Sequence, residues 1–135
     1  MGTVFFVLAA ALLALGAGFW IARRPEVSAG GRPQVKATLH LETFVLNLAD
    51  PGQRSYLRVG IDLGLGREPG KGEDAAPVGL VRDTIVGVLA QSQVDDLLTA
   101  KGKAELKADL LQALQERVPG LEVEEVYFTE FLIQR

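Results

Sequence analysis

The sequence predicts an α+β protein: an N-terminal transmembrane helix, a linker, and a small domain whose elements run β-β-α-α-β. Three observations predict it. Residues 3–22 carry no charge. Within 38–65 apolar residues alternate with the period of a strand, whereas within 78–118 they recur every three or four positions. A run rich in β-branched and aromatic residues then closes the chain from Val123 to Ile133. The chain has 135 residues, 48% of them apolar and 23% charged. That length suits one domain with an appendage.

The apolar run comes first. Twenty helical residues rise about 30 Å, the thickness of a bilayer's hydrocarbon core. Phe19 and Trp20 fall where an aromatic belt would meet the headgroups, and Arg23–Arg24 mark the exit. A cleaved signal peptide would need a basic segment ahead of a shorter apolar core, so residues 1–24 are read as an uncleaved anchor. Ala10, Ala14, Gly18 and Ala22 recur every fourth residue and form a small-residue face suited to close helix packing, a pattern that Ala-rich segments also produce by chance. The positive-inside rule would keep the domain beside Arg23–Arg24 in the cytoplasm, but with so little ahead of the span it leaves the orientation open.

Residues 25–36 hold Pro25, Gly30, Gly31 and Pro33 without apolar periodicity and are read as a linker. In the domain, 37–135, Leu39 and Leu41 alternate before the phase slips and Phe44, Leu46 and Leu48 take over. This predicts a bulge near Glu42–Thr43. Asp50-Pro51-Gly52 is a turn leading to a second strand with Leu57, Val59, Ile61, Leu63 and Leu65 on one face, so the pair forms an antiparallel hairpin. After a Gly/Pro/charge loop at 66–76, Pro77 opens a helix with Val78, Val81, Ile85 and Val88 as its buried stripe. A short turn, Val94–Leu98, leads to a helix over about 100–118 that buries Leu106, Leu110, Leu111, Leu114 and Val118, and Pro119-Gly120 stops it. In the last strand strict alternation puts Tyr127 and Phe131 on one face, with Val126 and Phe128 on the other.

Charge and chemistry narrow the function. Apart from Arg23–Arg24, 12 of the 14 basic residues and all 17 acidic ones lie in 25–135, a net of −5 that argues against nucleic-acid binding. With no Cys there is neither a disulfide framework nor a thiolate nucleophile. His40, the single histidine, projects from the polar face of its strand and has no second histidine with which to hold a metal. Gly66 to Gly72 has the wrong spacing for a phosphate loop, and Gly72 stands where Ser or Thr is required. Glu122, Glu124 and Glu130 share a face on a two-residue period but read as solubilising groups. No catalytic, cofactor-binding or metal-ligating residue is predicted, and no cofactor. An interaction module on a membrane stalk is the expectation.

Several segments have a familiar form. Phe44-Val45-Leu46-Asn47-Leu48 is followed by Tyr56-Leu57-Arg58-Val59, then by Val81-Arg82-Asp83-Thr84-Ile85 and Gly102-Lys103 with Leu106-Lys107. The chain closes on Val126-Tyr127-Phe128-Thr129-Glu130-Phe131-Leu132-Ile133-Gln134. In this order they resemble the flagellar basal body-associated FliL family over nearly the whole chain. That resemblance implies a single-pass inner-membrane protein with a periplasmic domain of stomatin-like (SPFH-like) fold and no enzymatic activity. It further implies homo-oligomeric rings around flagellar stator units of MotA and MotB, supporting motility, torque or swarming. Where family members carry a basic tail ahead of the span, this sequence has Met1-Gly2. The runner-up is a stomatin-like membrane scaffold serving another complex. Self-association is expected through Tyr127, Phe128 and Phe131, one aromatic face serving the core and the other a neighbour.

Overall fold

The computed structural model describes residues 33–135. The anchor expected at 1–24, the stripe of Ala10, Ala14, Gly18 and Ala22 and residues 25–32 of the expected linker lie outside the described residues. Among the described residues no helix is long and apolar enough to cross a membrane.

Strands β1 (Ala37–His40), β2 (Phe44–Leu48), β3 (Ser55–Leu65) and β4 (Val123–Gln134) form one antiparallel sheet. β3 is its middle. β1 and β2 follow one another along one edge of β3, and β4 runs along nearly all of the other, from Tyr56↔Gln134 to Leu65↔Val123. His40 faces Asp62 and Phe44 faces Val59, so three residues (41–43) stand opposite two (60 and 61). This is the predicted bulge, and it returns Leu41 and Phe44 to the same buried face. The β2–β3 turn is closed by Gln53 N–H donating to the Asp50 carbonyl at 3.2 Å, with Gly52 at φ 76°, where glycine carries no steric penalty.

One face of the sheet is covered by helices α1 (Val78–Ala90), α2 (Val94–Leu97) and α3 (Ala100–Arg117). Leu57, Val59, Ile61, Leu63 and Leu65 of β3 are fully buried beneath them. α1 contributes Val81, Ile85 and Leu89 to this core; α3 contributes Leu106, Leu110 and Leu114. The stripe predicted for α1 is corrected at both ends. Val78, the first helical residue, is exposed, and Leu89 closes the stripe where Val88 is only half-buried. Arg82 ties α1 to the bulge: its Nη1 donates to the Glu42 carbonyl at 2.7 Å while the guanidinium stacks over Phe44 at 4.0 Å.

α3 is capped by Thr99, whose hydroxyl oxygen accepts from Gly102 N–H at 2.9 Å. Gly102 lies so close to the end of α2 that a Cβ there would overlap the Asp96 carbonyl. On the same short helix, Asp95 is reached by Arg135 at 2.6 Å; Arg135 also lies 3.5 Å from Asp50, which accepts from Ser55 Oγ. The last residue thus links β4, the β2–β3 turn and α2.

Candidate interaction surface

Among the described residues no helix lies over the opposite face of the sheet. β2, β3 and β4 each point alternate side chains outward there, and the register aligns them into rows. Val45, Arg58 and Leu132 form one row; Asn47, Tyr56 and Gln134 form the next. Val45 is 67% exposed and Leu132 54%, high values for apolar side chains brought together by three strands. With Tyr56, Arg58 and Gln134 they line a shallow hollow of about 420 Å³. Arg58 crosses the surface to Glu130, Nε to Oε1 3.0 Å, an exposed pair worth less than about 1 kcal/mol. Towards the other end, His40 Nδ1 and Asp62 Oδ1 are 2.7 Å apart, and the Tyr127 ring lies over Gly64, where an added Cβ would meet it at 3.1 Å.

The residues expected to drive self-association separate differently than strict alternation predicts. In the β3–β4 ladder Gly60 faces Glu130 but Ile61 faces Phe128, so Thr129 is an extra residue in β4. One inserted residue reverses the faces of everything beyond it. Phe128 and Phe131 therefore share the helix-covered face, half-buried and packed against the core, and only Tyr127 of the three points outward. Leu132, Val45 and Tyr56 join Tyr127 on the outer face. The polar face of the second strand already placed Tyr56 and Arg58 there, but Leu132 read as one more apolar residue in an apolar run.

The acidic residues are redistributed by the same irregularities. Glu122 lies ahead of β4 in the left-handed region, Glu124 sits at a second register shift, and Glu125 and Glu130 face Gly64 and Gly60. Glu122 and Glu124 lie beside Gly66 and Glu130 beside Gly60, six positions apart along the line of β3, so they are not brought together as paired carboxylates. The 66–76 loop is closed by Gly70 N–H donating to the Asp74 carbonyl at 2.9 Å, beside Glu73 and Asp74, a setting hostile to a phosphate. His40 is 78% exposed with Asp62 as its partner, on the polar face predicted for it. Among the described residues no three His, Asp or Glu side chains are grouped to hold a metal ion.

The described residues thus form an α+β domain with an exposed, partly apolar sheet face. The comparison with known families is specific. The family model described as flagellar basal body-associated protein FliL matches residues 38–134, and the chain belongs to this family. It is similar to the flagellar protein FliL of Aquifex aeolicus (strain VF5), with 31% identity over 91 residues, 67% of this chain. The match spans 56% of that relative's length.

Proposed function

We propose that this chain is a non-enzymatic flagellar motor component. Residues 1–24 anchor it in the inner membrane and 25–36 tether a periplasmic domain, 37–135, of stomatin-like type. Copies assemble into a homo-oligomeric ring beside the stator proteins MotA and MotB and support motility under load. The observation that carries this reading is the family match, which extends over almost the whole domain. The uncovered sheet face with Val45, Tyr56, Tyr127 and Leu132 supports the self-associating part of it. Contacts of this size are individually weak, but confinement to one membrane plane raises the effective concentration and sums them. The fragment 37–135 should accordingly be monomeric in dilute solution.

Fluorescence localisation of a fusion, with and without MotA and MotB, tests the role. Spots at flagellar bases that fade when the stator proteins are removed are expected; absence of spots from flagellated wild-type cells would end the stator reading. A periplasm-active reporter after Arg135 should be active, and activity of a cytoplasmic reporter alone would reverse the topology.

A further inference from the structure

The uncovered sheet face has a counterpart on the far side of the domain. α1 turns Val81, Thr84, Ile85 and Leu89 into the core, so its opposite side points away from the sheet. Asp83 stands at the middle of that outward side, with Leu80, Val86, Gly79 and Gly87 around it, and both apolar residues are substantially exposed. The two glycines have no internal explanation. Neither has a positive φ, and a Cβ at either would meet nothing within 4 Å. Glycine inside a helix is less stable than alanine, so the lack of a side chain here lowers the stability of the isolated domain.

We infer that the outward side of α1 in one copy docks on the uncovered sheet face of a second copy, with Asp83 meeting Arg58. This rests on the self-assembly proposed above and specifies its surfaces. The charges complement each other. On the sheet Arg58 pairs with Glu130 at 3.0 Å; on the helices Asp83 pairs with Arg117 at 3.3 Å. Bringing Arg58 to Asp83 lines these four groups up with alternating sign. Val45 and Leu132 flank Arg58 as Leu80 and Val86 flank Asp83, so each charge is set among apolar side chains that would exclude water. The glycines let a helix backbone approach a sheet closely. Because the two surfaces differ and lie on opposite sides of the domain, the contact is head-to-tail: each copy uses both and the chain of contacts propagates, closing into a ring where the rotation allows.

The natural absence of cysteine makes a direct test possible. Full-length chain carrying both Val45→Cys and Val86→Cys, reconstituted in liposomes and treated with a short bis-maleimide, should give a ladder of dimers, trimers and larger species. Either single variant should stay monomeric on the gel. Dimers from Val45→Cys alone would mean that the sheet face packs on itself and would overturn the inference. Wild-type assembly in the same liposomes, counted by stepwise photobleaching, keeps the two levels apart. Assembly without a ladder sinks only this interface, whereas monomeric wild-type chain sinks the ring as well.

Charge reversal gives an independent reading. Arg58→Asp alone and Asp83→Arg alone should each weaken assembly by about tenfold or more, since like charges then meet. Mixed in equal amounts they should restore it, because each variant's sheet face then matches the other's helix. Failure of the mixture to recover, with both variants folded, overturns the pairing. Gly87→Ala should raise the melting temperature by a few °C yet weaken assembly, two effects of opposite sign that no purely structural role produces.

Discussion

Phe128 and Phe131 lie edge to face on the helix-covered side of the sheet, their ring centroids 5.4 Å apart and their planes at 62°. Residues three apart in a regular strand point to opposite faces, and the extra residue Thr129 brings these two together. The ammonium groups of Lys107 and Lys103 of α3 lie over the Phe128 and Phe131 rings at 5.4 and 5.2 Å, so the aromatic pair is roofed by two lysines in cation–π contact. This corner is an extension of the core, and the apolar residues beside it in sequence face away.

That division predicts opposite outcomes for adjacent residues. Phe131→Ala should cost about 2 kcal/mol, less than the 3–5 of a fully buried Phe because the ring is half-buried. Leu132→Ser should leave the melting temperature within a degree or two, since a surface substitution changes stability by no more than about 0.5 kcal/mol. Thermal melts of the two variants check this, and equal losses would contradict the register.

The same contrast holds on α1. Ile85 is fully buried, whereas Val86 faces outward. Ile85→Asp should unfold the domain, because an unpaired buried charge costs several kcal/mol against a total of about 5–15. Val86→Asp should fold normally by circular dichroism.

Gly102→Ala should be among the most damaging single-methyl changes in the chain. The new Cβ would overlap the backbone carbonyl of Asp96, which cannot rotate away as a flexible side chain does. A loss of about 3 kcal/mol or more is expected, seen as a shifted urea midpoint. Gly79→Ala, where the space is open, should be neutral to stabilising.

Glu122 caps the turn into β4 at φ 52°, a left-handed conformation that disfavours side chains. Its backbone does the holding, accepting from Gly66 N–H at 2.7 Å, while its carboxylate is 3.9 Å from Arg67. Glu122→Gly keeps the first contact and relieves the strain, so stability should rise by up to about 1 kcal/mol. A fall in denaturation midpoint would show that the side chain matters more.

His40→Ala should be silent in both folding and motility. The imidazole is mostly in water, and its contact with Asp62 is screened there, worth less than about 0.5 kcal/mol. Loss of motility with a folded protein would reveal a role for the outer face at this end of the sheet.

Most of the element order was legible from periodicity alone. The alternation of Leu57 through Leu65, the spacing of Leu106, Leu110 and Leu114, and the phase slip at Glu42–Thr43 are local patterns, and burial of one face enforces them wherever the segment ends up. The family was legible as well, because it resides in short motifs such as Val-Tyr-Phe-Thr-Glu-Phe. The facing of β4 was not. Val123 to Ile133 is apolar on both sides, so its pattern does not indicate a register; the place of the extra residue was decided across the sheet. Gly60 lies opposite, and only its missing side chain leaves room for the Thr129 hydroxyl. Which aromatic residues stabilise the core and which remain for a partner therefore depended on a contact between residues far apart in the chain, where local propensity has no say and tertiary packing does.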